Sequence, residues 1–127
     1  MSTTPPLRHI MLCEDDLPIT RALALKLTRA GYHTTVASSG VDAIELLGQT
    51  HYDLIILDLV MPNKDGFEVL AELREADKRT PVIIWSNLSQ SEDVARARAL
   101  GVEDYWFKYN TSLREVVDRV RAFFAKT

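Results

Sequence analysis

The chain has 127 residues, of which 46% are hydrophobic and 26% charged, and its formal net charge is −3. This length and composition are typical of one globular domain and exclude a disordered chain. The slightly acidic balance gives no field that favours nucleic acid or a membrane surface as the main partner. We expect no leader peptide and no membrane span, because no apolar run is long enough. The single cysteine, Cys13, lies in an apolar run, which predicts a reduced core thiol in a cytoplasmic protein.

Residues 1–8 predict a flexible arm, and residues 9–127 predict one domain in which strands and helices alternate. Continuous apolar runs bounded by turn residues indicate five strands, at 9–13, 33–37, 54–57, 82–85 and 104–107. A helix is predicted after each strand, with Ser91 opening the fourth and with capping residues for the others at Asp16 or Leu17, Ser38 or Ser39, Asp65 and Ser112.

Five repeats of strand then helix predict an α/β fold with a parallel sheet and helices on both faces. The fold class is a single doubly wound (βα)5, flavodoxin-like domain with strand order 2-1-3-4-5. The second strand is more polar than the others, which favours a position at the edge of the sheet. No linker or second domain is predicted.

Charged and polar side chains follow four of the predicted strands at the point where each strand ends. Because the carboxyl ends of parallel strands meet at one edge of a sheet, these side chains are expected to share one rim. They are Glu14, Asp15 and Asp16 after the first strand, Asp58 after the third, Ser86 after the fourth and Lys108 after the fifth.

This set of residue types favours metal-dependent phosphoryl chemistry. Clustered carboxylates repel one another unless a cation lies among them, and Mg²⁺ or Mn²⁺ with oxygen ligands relieves the repulsion. We therefore expect the metal on Asp15 and Asp58, with the backbone carbonyl of Val60 completing its shell. A carboxylate can also accept a phosphoryl group as a nucleophile, which requires mainly positioning and charge neutralisation. Lys108, as a fixed positive charge, and Ser86, as a hydroxyl donor, would supply both.

The chain resembles the receiver domain of response regulators, the phospho-accepting module of two-component signalling. Glu14 and Asp15 match the acidic pair of that family, and residues 58–66 (DLVMPNKDG) match its phosphoacceptor loop. The further matches are Ser86 at the hydroxyl position, Tyr105 at the aromatic switch position and Lys108 at the lysine position.

The resemblance implies that Asp58 accepts a phosphoryl group from a sensor histidine kinase, a phosphotransfer protein or a small phosphodonor. Phosphorylation would draw Ser86 inward, let Tyr105 turn inward and remodel the face formed by the fourth helix, fifth strand and fifth helix. That face would bind a target protein or a fused output domain, or form a homodimer, and the protein would neither bind nucleic acid directly nor insert into a membrane. The protein would be a cytoplasmic signalling phospho-acceptor and not a turnover enzyme. The implied metal ligands are Asp15, Asp58, the Val60 carbonyl and, through a water, Glu14.

Two positions depart from the family pattern. The family usually has proline after the lysine, where this chain has Tyr109. A cis peptide costs about 2.5–4 kcal/mol without proline, so we expect a trans Lys108–Tyr109 bond and a looser loop before Asn110. The family usually has a small residue after the hydroxyl residue, where Asn87 would narrow the phosphoryl entrance or donate a hydrogen bond to it.

The lifetime of the phosphorylated form is predicted from the residues beside the entrance. Val60 and Leu88 are expected to lie along the path of an attacking water, and neither side chain can orient one. We therefore predict slow self-dephosphorylation.

Two other functions compete with the switch. A phosphohydrolase of the haloacid-dehalogenase type also uses a strand-end aspartate, but it needs an acid/base aspartate where this chain has Val60. A phosphate-independent binding module would keep the fold without the chemistry. For single residues the plainer interpretations are a helix cap for Asp16 and Asp65, local hydrogen bonding for Ser86 and a core packing role for Tyr105.

Overall fold

The computed structural model of the protein describes residues 7–61, 65–77 and 79–126. Within them strands and helices alternate along the chain, as the sequence predicted. The strands are β1 (His9–Cys13), β2 (His33–Ala37), β3 (Leu54–Leu57), β4 (Val82–Ser86) and β5 (Asp104–Phe107). The helices are α1 (Leu17–Arg29), α2 (Gly40–Leu47), α3 (Gly66–Ala76), α4 (Ser91–Ala99) and α5 (Leu113–Ala125). None of the helices in these ranges combines the length and the apolar character that crossing a membrane requires.

The strands form one parallel five-stranded sheet in the order β2-β1-β3-β4-β5. This confirms the predicted doubly wound arrangement, and it places the ends of β1 and β3 side by side where the strand order reverses. β3 is buried along its whole length. β2 lies at the edge and leaves His33 and Val36 exposed, which explains why its sequence is more polar.

Two hydrophobic cores lie on opposite faces of the sheet. The first is covered by α2, α3 and α4, and the second by α1 and α5. Cys13 is fully buried in the first core, as predicted, and burial raises the pKa of its thiol to about 12. Successive strand residues alternate between the cores, with Met11, Ile55 and Ile84 in the first and Leu12, Ile56 and Trp85 in the second.

The helix starts follow the predicted capping residues. α1, α2, α3 and α5 receive side-chain caps from Asp16, Ser39, Asp65 and Ser112, respectively. α5 has the full capping box and buries three valines. α4 differs, because within the described chain Gln90 gives no side-chain cap and Ala97 is the buried residue of the helix. α4 is therefore less firmly held against the core than α5, the helix that follows β5.

Of the predicted N-terminal arm, residues 1–8, the structure describes Leu7 and Arg8. Residues 1–6 lie outside the described part of the chain. The backbone carbonyl of Arg8 accepts a hydrogen bond from the His33 N–H at 2.9 Å. The Arg8 guanidinium lies 4.9 Å from the centre of the Phe124 ring. Arg8 therefore belongs to the folded domain, since it continues the ladder between β1 and β2.

The segment after β5 also differs from the expectation of a loose loop. Lys108–Asn110 forms a single 3₁₀ turn, and the Lys108–Tyr109 peptide is trans, as predicted. Tyr109 is 67% exposed, but its ring stacks on Phe107 with 5.5 Å between ring centres. This aromatic contact orders the turn without a proline.

Candidate functional site

Asp58 lies at the carboxyl end of the central strand β3 and is buried, with 6% of its surface exposed. The Asp58 N–H donates to the carbonyl of Cys13 at 3.0 Å, which joins the ends of β3 and β1. Its side chain has two partners. Oδ1 accepts from the Val60 N–H at 3.0 Å, and Oδ2 accepts from Lys108 Nζ at 2.9 Å. Both carboxylate oxygens are thus oriented before any ligand binds.

The acidic run after β1 divides into residues with different roles. Glu14 is buried and Asp15 is exposed. Asp16 caps α1 by accepting from the Ile19 N–H at 3.4 Å, so its plainer interpretation as a helix cap holds. Glu14, Asp15 and Asp58 each offer a carboxylate oxygen, and these oxygens all lie within 4.8 Å of one another. The sequence therefore correctly predicted that two strand ends form one acidic cluster.

Lys108 enters the same cluster from the end of β5. Its ammonium group contacts a Glu14 oxygen closely and lies 2.9 Å from Asp58 Oδ2, and 12% of its side chain is exposed. Asp15, Asp58 and Lys108, which come from three separate strands, thus share one pocket. The predicted convergence is confirmed.

Charge and burial oppose each other in this cluster. Burial raises the pKa of Glu14 to about 7, and the nearby Asp58 adds to the rise, while the hydrogen bond from Lys108 works against it. Burial by itself lowers the pKa of Lys108, but the hydrogen bonds to Glu14 and Asp58 outweigh it and the net shift is upward. Lys108 is therefore held in its charged form between two acids that repel each other.

Ser86 and Tyr105 meet at the backbone of Leu88. Ser86 is fully buried, and its Oγ accepts from the Leu88 N–H at 3.2 Å. The Tyr105 hydroxyl donates to the Leu88 carbonyl at 2.6 Å. Ser86 is not among the residues that line the open cavity at the acidic cluster, so the predicted donation from its hydroxyl to a phosphoryl group stays a prediction. Tyr105 is already buried here, with 6% exposure, so the inward position that the sequence analysis associated with phosphorylation is occupied in this structure.

An open cavity of about 610 Å³ leads from solvent to the acidic cluster. Val60, 54% exposed, lies at its wall together with Asn87. Leu88, which was also predicted beside the entrance, is not among the residues that line this cavity and lies half-buried against the first core. The other lining residues are Glu14, Asp15, Asp16, Asp58, Met61 and Lys108.

The two described ends of the loop after Asp58 contact each other. Pro62, Asn63 and Lys64 of the predicted phosphoacceptor loop lie outside the described residues. At the far end of the loop the Gly66 N–H donates to the Leu59 carbonyl at 3.1 Å, and a Cβ on Gly66 would overlap the Leu59 backbone. Only glycine fits this close approach, which ties the start of α3 to the end of β3.

Trp85 is a neighbour of the site that the sequence analysis did not single out. It directly precedes Ser86 in β4, and Lys108 Nζ lies 5.0 Å from the centre of its ring. A bulky aromatic residue one position before a predicted site residue, on a strand between those that carry Asp58 and Lys108, is the signal that indicates such a contact.

Comparison with protein families identifies the class. The model of the response regulator receiver domain matches residues 10–121. The chain therefore belongs to the response-regulator receiver family, a class of signalling proteins. The resemblance described from the motifs is thus confirmed.

Individual relatives agree with this family. The chain is 33% identical over 114 residues to the uncharacterised transcriptional regulatory protein YkoG of Bacillus subtilis, an alignment that covers 90% of this chain and 50% of YkoG. It is 36% identical over 121 residues to the Regulator of RpoS of Escherichia coli, covering 94% of this chain and 36% of that protein. The chain thus spans half or less of the length of these relatives.

Solved structures show the same fold. The receiver domain of Francisella response regulator 1452 superposes with a TM-score of 0.85 at 33% identity, covering 94% of this chain and 98% of that one. The response regulator TrrA of Thermotoga maritima, solved in complex with Mg²⁺ and BeF, superposes with a TM-score of 0.80 at 27% identity, covering 91% and 98%.

Proposed function

We propose that Asp58 is the phosphoacceptor of this receiver domain and that its phosphorylation switches the surface formed by α4, β5 and α5. The observation that carries the proposal is the arrangement around Asp58, with Lys108 Nζ at 2.9 Å and two further carboxylates within 4.8 Å. A buried carboxylate of this kind is retained at a cost, which favours a chemical role over a purely structural one.

The residues fit a hard dication. Oxygen atoms of Glu14, Asp15 and Asp58 converge, and carboxylate oxygens are what Mg²⁺ and Mn²⁺ prefer. Asp15 and Asp58 would hold the ion directly with the Val60 carbonyl, and Glu14 would act through a water because Lys108 already occupies one of its oxygens. When bound, the ion would neutralise the carboxylates and the phosphoryl oxygens. The TrrA structure contains Mg²⁺ with BeF, which supports the assignment by similarity.

The transfer itself follows from the positions of the side chains. One oxygen of Asp58 attacks the phosphorus of the donor and forms a P–O bond, while the bond from phosphorus to the leaving imidazole or acetate breaks. Lys108, already 2.9 Å from Asp58, is placed to contact a phosphoryl oxygen. The Ser86 hydroxyl can donate its hydrogen to the same group while its Oγ still accepts from the Leu88 N–H.

The switch would pass through Leu88. Its backbone bonds both Ser86 and the Tyr105 hydroxyl, so a movement of Ser86 towards a phosphoryl group shifts the start of the connection into α4. α4 is the helix with the weakest anchoring, since its buried residue within the described chain is Ala97. The surface of α4, β5 and α5 would then bind a target, a fused output domain or a second copy.

The proposed partners and compartment follow the same reasoning. A sensor histidine kinase or a phosphotransfer protein would supply the phosphoryl group, since the family signals in this way. The buried free thiol of Cys13 is consistent with a reducing compartment such as the cytoplasm. Self-dephosphorylation is proposed to be slow, because Val60 at the cavity wall and Leu88 have no group that orients water. Loss of the label from radiolabelled phosphoprotein within seconds would contradict this.

The test is incubation with acetyl phosphate and Mg²⁺, followed by intact mass. We expect the wild-type protein to gain one phosphoryl group and Asp58→Asn to gain none. Asp118→Asn, an exposed carboxylate on α5, is the matched control and should react like the wild type. Turnover of acetyl phosphate without accumulation would favour the phosphohydrolase, and no reaction would favour a phosphate-independent binding module.

A further inference from the structure

Lys108 needs a third support besides its two carboxylates. Its side chain is long and flexible, and holding it in one conformation costs rotamer entropy. Glu14 and Asp58 attract the ammonium group but do not fix the path of the chain, because they lie at its tip. The group that lies against the ammonium from the side of the second core is the indole of Trp85.

The Trp85 ring faces this ammonium. The centre of the ring lies 5.0 Å from Lys108 Nζ, within the range where an aromatic face attracts a cation. Trp85 is 4% exposed, so water screens this attraction little. Because β-strand residues alternate, Ser86 and Trp85 approach the site from opposite faces of the sheet.

The hydrogen-bonding pattern of the two buried tryptophans differs. Trp106, paired with Trp85 across β4 and β5, donates its Nε1–H to Asp104 at 3.0 Å. The Nε1–H of Trp85 is buried and has no acceptor among the described residues. Burying an unpaired N–H is unfavourable, and a leucine or phenylalanine at this position would avoid it. The contact that Trp85 makes with Lys108 is through its ring face.

Trp85 also closes the floor of the acidic cluster. A cavity of about 10 Å³ lies beneath it and is bordered by Trp85, Glu14 and Asp58. A space of this size holds at most one water molecule. The indole lines this small space together with apolar side chains such as Leu23 and Ile56, so little water reaches the inner side of the ion pairs, which strengthens them.

The geometry points to Trp85 as a positioning residue for the phosphoryl transfer of the proposed function, on which this inference rests. Its ring holds the ammonium group of Lys108 at Asp58 and excludes water from below. Trp85 belongs to the hydrophobic core. It contacts neither the cavity entrance beside the metal ligands nor the phosphoryl donor. Its effect is exerted through Lys108.

The experiment is a double-mutant cycle. Trp85→Leu and Trp85→Phe are made in the wild type and in Lys108→Met, and Trp106→Leu, which removes the same volume from the same core, is the matched control. Initial rates of phosphoryl gain from acetyl phosphate with saturating Mg²⁺ are followed by intact mass, on variants shown to be folded. Urea unfolding of the same set measures the coupling without any phosphoryl transfer.

We expect Trp85→Leu to slow phosphorylation by about 2- to 30-fold, the range that a buried cation–π contact gives, and Trp85→Phe to slow it less. In Lys108→Met, changing Trp85 should alter the remaining rate less than twofold, as should Trp106→Leu in the wild type, where roughly a factor of two is the resolution of such cycles. In urea, the change in unfolding constant of the variant that carries both Trp85→Leu and Lys108→Met should differ from the product of the two single changes. For Trp106→Leu combined with Lys108→Met, it should equal that product.

Three results would overturn the inference. The first is that Trp85→Leu slows phosphorylation by the same factor in the wild type and in Lys108→Met. The second is that Trp106→Leu slows it as much as Trp85→Leu does. The third is that the effects of Trp85→Leu and Lys108→Met on the unfolding constant multiply. If Trp85→Leu does not fold, the graded Trp85→Phe variant is used in the same cycle. A wild-type protein that gains no phosphoryl group refutes the proposed function together with the inference. If the wild type gains a phosphoryl group but the effects of Trp85→Leu and Lys108→Met simply multiply, the inference is refuted and the proposed function is not.

Discussion

At the carboxyl edge of the sheet, charged side chains from β1, β3 and β5 are buried against one another. At the amino edge of the sheet, rings from β1, from β2 and from the segment before β3 contact one another instead. His9 lies on His33 with 4.0 Å between ring centres and 4.4 Å from Tyr52, and its Nε2 is 2.6 Å from Thr35 Oγ1. The His9 backbone N–H donates to Asp53 at 2.7 Å.

The difference between the two edges separates stability from function. The amino edge satisfies its polar groups by short-range contacts between neighbouring strands, so it holds β1, β2 and the start of β3 together. The carboxyl edge places Glu14 and Asp58 close enough to repel, and relies on Lys108 to compensate. Repulsion of this kind is expected where a site is arranged for a ligand that carries positive charge.

The largest expected effect tests whether Lys108 compensates for the repulsion between Glu14 and Asp58. Lys108→Met removes the cation from two buried acids and should lower the free energy of unfolding by about 3–5 kcal/mol at pH 8. The hydrogen bond from Lys108 lowers the pKa of Glu14 against the effect of burial, so removing Lys108 should raise that pKa further. The folded variant then takes up a proton at Glu14 more readily than the folded wild type does, and it gains more stability as the pH falls. The loss should therefore shrink between pH 8 and pH 5, measured by urea unfolding.

The control for this prediction is Lys26→Met on α1, an exposed lysine, which should change stability by less than about 0.5 kcal/mol at both pH values. A deficit for Lys108→Met that is equal at pH 8 and pH 5 would show that the carboxylates are not what the lysine compensates.

An intermediate effect concerns the metal. Mg²⁺ at 100 times its dissociation constant should stabilise the wild type by about 2.7 kcal/mol, since it binds the folded site. Asp15→Asn should lose most of this gain, and without Mg²⁺ it should be at least as stable as the wild type because one repelling charge is gone. His9→Phe, at the opposite edge, should keep the full gain. Thermal unfolding with and without Mg²⁺ measures this gain. If Mg²⁺ stabilises Asp15→Asn as much as the wild type, Asp15 is not a metal ligand.

The smallest expected effect lies at the amino edge. Burial first, and then the neighbouring His33, lowers the pKa of His9 below 6.5. The folded state therefore binds a proton at His9 less readily than the unfolded state, so this contribution to stability is present above pH 6.5 and is lost as the pH falls through the lowered pKa. After solvent screening the change is at most about 1 kcal/mol.

Urea unfolding at pH 7.5 and pH 5.5 measures this change. His9→Phe keeps the ring contacts without the titrating nitrogen and should flatten the difference between the two pH values. His51→Gln, whose side chain is 80% exposed in the wild type, should leave that difference as it is in the wild type. A flattening in both variants would point to the general charge of this edge and not to the His9 stack.

Several features of the molecule were accessible from local patterns. Strand β3 was predicted because an apolar run between turn residues is typical of a buried parallel strand, and its final Asp58 was placed at the rim by topology alone. The caps of α1 and α5 were predicted because Asp16 and Ser112 precede helical apolar spacing. These features depend on residues within one turn or one strand of each other.

Other features depended on contacts between distant residues. The turn after Lys108 is ordered by Tyr109 on Phe107, and a trans peptide without proline had suggested a looser loop. Arg8 was assigned to the arm because the sequence does not show that its carbonyl meets the N–H of His33. The buried position of Tyr105 was likewise set by the Leu88 carbonyl, seventeen residues earlier in the chain.

The sequence by itself determined the order of the elements, the parallel sheet and the acidic and basic residues at its rim, because periodicity and turn chemistry are local properties. Only the tertiary structure decided that Lys108 pairs with both Glu14 and Asp58, that Trp85 lies against its ammonium group and that Leu88 joins Ser86 to Tyr105. Those contacts depend on side-chain directions and on distances between strands that are far apart in the chain. A difference of one or two ångströms in such a distance, which no residue pattern encodes, separates an ion pair from a solvated charge.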